Sequence, residues 1–322
     1  MIVDCHAHLV PPELLAAIRR DAAKYPNVRQ TEDGGLSFAG AKPTRPVPKP
    51  LSDIPARLAW MAKQGVDRQV VGGWVDMFGY ELPGAESEAW SRLTNDALLA
   101  AAKAEPRFVP LATVPLGDGT RAANVLKDAR RAGFAGAMIG TLPRGVGSTL
   151  DAADLDPFWQ AADETGAVIH IHPSFDAGDV RVNDFGLANG LGRITDAAVA
   201  VARLICAGHV TKYKNTKFFA PMGAAALPFV LGRLKRNHAI TPGIGDPAEA
   251  LGLIYTDTIL HDVRVLKFVI EMIGTERLMM GSDMPFPIGD LEPMKIVAAA
   301  GLSPAQVTSI NGGLAARLFG IQ

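Results

Sequence analysis

Cysteine is nearly absent: Cys5 and Cys206 are the only two in 322 residues. Two distant thiols build no disulfide framework, and they point to a reducing compartment, the cytoplasm. An excess of one charge is also lacking. The 32 Lys and Arg nearly balance the 33 Asp and Glu, for a net charge of −1. That balance excludes a nucleic-acid or membrane-surface binder built on a basic face. The one basic cluster, Arg233-Leu-Lys-Arg236, reads as a solvated helical face. No apolar run reaches the ~18 residues a membrane span needs. Asp4 and His6 interrupt the N-terminus before a signal peptide takes shape. A glycine-rich phosphate loop, an internal repeat and an interdomain linker are missing as well.

What is present is a large apolar content, 48% of residues, ample for one sizeable core. Short apolar runs at 1–3, 69–73, 108–113, 136–139, 167–172, 217–220, 253–257 and 278–281 read as strands. Stretches rich in Ala and Leu, with charges at helical spacing, lie between them at 88–104, 120–132, 156–165 and 262–273. Eight alternations predict an α/β fold, a (β/α)8 TIM barrel formed by residues 1–322 as a single domain. A doubly wound sheet is the alternative. Residues 28–52, with Gly34-Gly35 and four prolines, read as an insertion after strand 1, and 174–195 as a long loop after strand 5. In barrels the active site is built from the loops at the strand C-termini, so both are candidate substrate lids.

Polar groups at strand ends converge in such a fold. His6-Ala7-His8 follows the first run, and residues i and i+2 of an extended segment project to one side. His170 and His172 end the fifth run, and Asp283 follows the eighth. Three imidazoles and a carboxylate suit a divalent ion such as Zn2+. His172, nearer the rim, is the expected ligand with His6, His8 and Asp283, and His170 is the deeper orienting group. A lone strand histidine is more often a core residue, but four strand-end groups in barrel order favour a metal. Alternation points Cys5 away from the histidines, into packing. His209 and His238 read as surface residues.

Longer motifs extend the pattern. Asp4-Cys-His-Ala-His8, Arg107-Phe-Val-Pro-Leu-Ala-Thr-Val-Pro115, Leu227-Pro-Phe-Val-Leu-Gly-Arg233 and Tyr255-Thr-Asp-Thr-Ile-Leu-His-Asp262 occur in order. Gly281-Ser-Asp-Met-Pro-Phe-Pro-Ile-Gly-Asp-Leu-Glu-Pro293 is the most specific. On these motifs the chain resembles the aminocarboxymuconate-semialdehyde decarboxylase branch of the amidohydrolase superfamily. The resemblance implies one Zn2+ on His6, His8, His172 and Asp283, with Mn2+ as the alternative ion. It implies carboxylate binding by Arg45 and by Arg233, the latter reaching a neighbouring active site in a homodimer.

One departure stands out. The family's His-Gly-Gly-Gly segment after strand 6 supplies an acid/base histidine, and here Pro221-Met-Gly-Ala-Ala-Ala226 puts Met222 in its place. A thioether has no proton to give. His261, His170, Asp76 and Tyr80 are the candidates to take over, with His261 and Asp283 placed at the reacting atoms. Where the decarboxylase sets aromatics against its substrate, this chain has Gly186, Ala188 and Asn189. Tyr80, Asn189 and Met222 are the further pocket residues. The expected function is metal-dependent, non-oxidative decarboxylation of an unsaturated or aromatic acid, a small-molecule carboxylate. The alternatives are a hydrolase or hydratase of a related ring-cleavage acid and a degenerate member that only binds ligand.

Overall fold

The computed structural model describes residues 1–322. Eight parallel strands follow one another around a closed ring: β1 (Val3–His8), β2 (Arg68–Gly72), β3 (Phe108–Pro110), β4 (Gly136–Gly140), β5 (Val168–His172), β6 (Lys217–Phe219), β7 (Thr256–Asp257) and β8 (Leu278–Met279). Ladders join β1 to β2 and β2 to β3, β4 to β5 and β5 to β6, and β7 to β8. Single bridges close the gaps: Ala112 with Ala137, Phe219 with Tyr255, and Ala7 with Met284. The ring is an α/β barrel, and its strands fall on the eight apolar runs.

The helices start and stop on chemical signals. Asp118 caps Gly119–Ala132 by accepting from the N–H groups of Thr120 and Arg121, both at 3.0 Å. Asp262 does the same for Val263–Ile273 through Arg264 N–H at 2.7 Å. At Gly136 a side chain is impossible, because its Cβ would lie 1.9 Å from the Val168 carbonyl oxygen. The close β4–β5 contact depends on that glycine. Residues 28–52 contain an antiparallel hairpin, Val28–Gln30 against Leu36–Phe38, and a short helical turn at Lys49–Leu51.

Two layers of apolar side chains fill the fold. Ala7, Val71, Ile139, Ile171 and Phe218 face outward onto the helices. Val3, Cys5, Val70, Met138, Val168, Phe219 and Met279 fill the interior, plugged by Phe319 of the last helix. The first strand differs from expectation in two ways. It runs on through His6 and His8 instead of ending at Val3, because its pairing with β2 continues to His8–Gly72. A register irregularity between Asp4 and Ala7 also breaks strict alternation. Cys5 shares the interior with Val3 by ordinary alternation, and the irregularity lets His6 and His8 turn inward above it as well.

His209 is a correction. It is buried, with 7% exposure, not a surface residue. Its ring packs 6.0 Å from Trp159 and 5.6 Å from Tyr213. An isolated four-residue helix folds it inward, which helical spacing alone does not show. Burial lowers its pKa below the ordinary histidine value of 6.5, with Asp156 opposing. A lowered folded pKa gives stability that is present above pH 6.5 and lost as pH falls through the folded value. His209→Phe is thus expected to flatten the acid limb of stability. Urea unfolding at stepped pH should show the variant gaining on its parent below pH 6.5; parallel curves would refute this.

Candidate metal centre and substrate cavity

The donor atoms of His6, His8, His172 and Asp283 lie within 4.8 Å of one another at the C-terminal mouth of the barrel. β1 and β5 supply the imidazoles, and the turn after β8 supplies the carboxylate. Each ring is fixed through Nδ1: His6 to Asp257 Oδ2 at 2.8 Å, His8 to the Gly73 carbonyl at 3.0 Å, His172 to the Pro173 carbonyl at 2.9 Å. Those contacts leave every Nε2 free toward the centre. His8 Nε2 is 3.1 Å and His6 Nε2 3.6 Å from Asp283 Oδ1. The contacts lack hydrogen-bond alignment, and all three atoms are buried without a hydrogen-bond partner. Buried polar atoms left so are costly. Three imidazole nitrogens and one carboxylate oxygen aimed at one point fit a divalent cation.

The electrostatics agree with that use. Burial lowers His8, and lowers His172 well below the usual range, keeping both in the neutral form a metal needs. Burial would lower His6 too, but its hydrogen bond to Asp257 and the charge of Asp283 raise it. Burial alone would raise Asp283, yet His8, His6 and Arg193 hold it below the ordinary carboxylate value. Asp283 has φ +56°, a conformation a non-glycine residue adopts at a cost.

His170 sits one layer deeper and fully buried. Its ring stacks 4.2 Å from Phe219 and meets His6 edge-on at 4.4 Å. Neither of its nitrogens has a hydrogen-bond partner, so its contact with His6 is by packing.

Asp257, at the end of β7, emerges only in three dimensions. Besides orienting His6, it accepts the Met222 N–H at 2.8 Å. The next β7 residue inward, Thr256, accepts the Ala224 N–H through its hydroxyl at 2.6 Å. These bonds hang residues 222–226 from β7, and Met222, Ala224, Ala225 and Ala226 all have φ between +52° and +60°. Left-handed backbone costs about 1–2 kcal/mol per non-glycine residue. The alanines thus hold a shape that glycine adopts freely. Asp257→Asn, which weakens the grip on His6 Nδ1, is expected to reduce metal affinity roughly 10- to 100-fold. Competition with a metal-sensitive dye measures it, and unchanged affinity would remove Asp257 from this role.

A cavity of about 720 Å3 opens beside the four donors, lined among others by His6, His172, Asn189, Arg193, Met222 and His261. His261 is exposed with φ +57°. A second cavity of about 720 Å3 meets the first at Asn189 and holds Arg45, Asp76 and Tyr80. Arg45 pairs with Asp76 at 3.0 Å, and its guanidinium lies 3.9 Å over the Phe175 ring. The Tyr80 hydroxyl accepts the Gly140 N–H at 3.0 Å, and burial raises its pKa. Arg233 is exposed on the helix Leu227–Ile240 and lines neither cavity. Arg193, unremarked in the sequence, projects into the metal cavity from the first turn of Arg193–Cys206. No motif marks it out inside the loop 174–195.

A family model described as Amidohydrolase matches residues 3–321. A 2-amino-3-carboxymuconate-6-semialdehyde decarboxylase of Dictyostelium discoideum is 25% identical over 281 residues, 84% of this chain and 77% of that protein. The crystal structure of 5-carboxyvanillate decarboxylase from Sphingomonas paucimobilis superposes with a TM-score of 0.81 at 22% identity, covering 100% of this chain and 99% of that one. The corresponding enzyme of Novosphingobium aromaticivorans, complexed with manganese and 4-hydroxy-3-methoxy-5-nitrobenzoic acid, has a TM-score of 0.81 at 20% identity. It covers 99% of this chain and 96% of its own.

Proposed function

The chain belongs to the amidohydrolase family, and from that membership we propose a metal-dependent, non-oxidative decarboxylase of an unsaturated or aromatic carboxylic acid. The observation that carries this reading is the set of four converging donors, with unpartnered buried atoms, at the edge of a cavity large enough for such an acid. His6, His8, His172 and Asp283 would hold one divalent ion. Their donor set favours Zn2+, and Mn2+ is the alternative suggested by the manganese-bound relative. When bound, the ion supplies Lewis-acid stabilisation of developing negative charge.

The chain's own groups do the rest. Arg45 and Arg233 grip carboxylates, Arg233 from the second copy in a homodimer, a role that fits its exposure and its absence from the walls of its own cavities. Asn189, Tyr80 and Met222 shape the pocket, and 28–52 and 174–195 form its lids. As the bond to the leaving carboxyl breaks and CO2 departs, the electron pair left on the carbon takes a proton from His261, which regains it from solvent, and Asp283 faces the same reacting atoms. All of residues 1–322 act as one unit on a small-molecule carboxylate in the cytoplasm.

Met222 favours a second reading. Where the branch carries a proton-transferring histidine, a thioether gives no proton, and net addition of water to the acid becomes the rival reaction. Metal analysis of fresh protein, beside Met222→His, combined with product analysis on carboxylated muconates and hydroxybenzoates separates the two. One equivalent of metal in both forms and CO2 release without water uptake are expected. Products that have gained water would favour the hydrolase or hydratase. Carboxylate binding without turnover would mark a degenerate member, and metal that binds only in the variant would refute the four-donor centre.

A further inference from the structure

The metal cavity carries a cation that has no ion-pair partner in the protein. Arg193 and Arg264 are the two arginines on its wall. Arg264 is exposed and held by Asp262, Nη2 to Oδ2 at 2.7 Å. Arg193 is half-buried, with no carboxylate partner, and its Nε is sealed from water without a hydrogen bond. The acidic groups whose fields reach it are Asp76, Asp283 and Asp196, and each is already committed. Asp76 pairs with Arg45 at 3.0 Å. Asp283 sits among the histidines, 3.1 Å from His8. Asp196 accepts the Ser174 N–H at 2.8 Å and the Thr141 hydroxyl at 2.5 Å.

Apart from these, Arg193 has the Phe175 ring, 5.1 Å from its guanidinium carbon, which it shares with Arg45. An aromatic face returns only part of what a guanidinium loses on leaving water. The missing counterion must come from outside the chain, and the open direction is the cavity. A planar guanidinium with free N–H groups matches a carboxylate in bidentate fashion.

We propose that Arg193 is a substrate-binding residue whose guanidinium takes a carboxylate of the acid within the metal cavity, an inference that rests on reading this cavity as the substrate site. Arg45 opens onto the second cavity and is answered by Asp76, so the two arginines meet different parts of the ligand. Arg193 then adds to the selectivity of the metal cavity for anionic over neutral ligands.

Calorimetric titration of the metal-loaded protein with 4-hydroxy-3-methoxy-5-nitrobenzoate and with its primary amide tests the assignment. Arg193→Met, which keeps the volume and removes the charge, is expected to weaken carboxylate binding roughly 10- to 100-fold. Amide affinity and metal content should not change, and Arg193→Lys should recover part of the loss. The thermal midpoint of Arg193→Met should stay at or above the parent's, since an unanswered cation has been removed. Equal losses on both probes, or no loss on either, would overturn the role of Arg193 while leaving the substrate site intact. A metal-loaded parent that binds neither probe would overturn the substrate-site reading, and the role of Arg193 with it.

Discussion

Replacing His172 with alanine is expected to abolish metal binding at the proposed centre and lower the proposed decarboxylation by roughly a thousandfold or more, the worth of about 4 kcal/mol of lost charge stabilisation. The reason is geometric. His172 is the only one of the four donors from the far wall, β5, while His6 and His8 come from β1 and Asp283 from the turn that bridges to β1. Without it the remaining three approach from one side. Its ring packs 4.7 Å from His8 and 5.5 Å from His6, so the truncation also loosens both neighbours. His170→Ala is the matched control. It removes an imidazole two residues earlier on the same strand but outside the donor set, and should retain metal. Elemental analysis and CO2 release on the three proteins decide the matter. Full metal content in His172→Ala would place the ion elsewhere, and loss in both variants would show only that β5 tolerates no change.

Arg57→Ala is expected to cost about 3–5 kcal/mol of stability, the usual price of breaking a buried charged network from one side. Arg57, 1% exposed, reaches from the helix Ile54–Gln64 to the β1–β2 seam. It donates to the His8 carbonyl and to Gln69 Oε1 at 2.9 Å. Gln69 Nε2 donates onward to Asp4 Oδ2 at 2.8 Å, and Asp4 also accepts the Ser282 N–H at 3.0 Å and the Ser282 hydroxyl. One chain of hydrogen bonds therefore ties a helix, β1, β2 and the turn after β8 together where the barrel closes.

Burial pushes the Arg57 pKa down to about 10, with Asp4 opposing, so it stays charged at neutral pH. Burial raises Asp4, against its hydrogen bonds. A carboxyl raised on folding gives stability that is present at low pH and lost as pH rises through its folded value. The ionised form of Asp4 is thus a liability that Arg57 offsets. The deficit of Arg57→Ala should accordingly be larger at pH 7.5 than at pH 5, the direction in which Asp4 takes up its proton. Urea midpoints at the two values test it. A deficit under about 1 kcal/mol at pH 7.5 would mean that water replaces the guanidinium in this network.

Much of this was legible in the residues themselves. Apolar runs with helical stretches between them gave the eight strands, because strand and helix periods differ and each must bury one side. His6, His8, His172 and Asp283 were legible as a set because strand ends in a barrel share one face. Met222 was legible as a departure only against the histidine of the branch the chain resembles, which a thioether cannot replace.

What local pattern does not carry is the partner of each group. The irregularity between Asp4 and Ala7 let Cys5 and the two histidines face inward together, since pairing with β2 sets the register there. Asp257 gained its role from crossing to His6 over 251 positions of chain. His209 went inside because an aromatic cluster of distant residues closed around it. Arg193 showed itself as a cation without a counterion only when Asp76, Asp196 and Asp283 were all seen to be taken. By itself the sequence determined periodicity and residue chemistry, which are local. Burial, register and the pairing of charges were decided only by the tertiary structure, because each depends on which distant groups arrive at the same place.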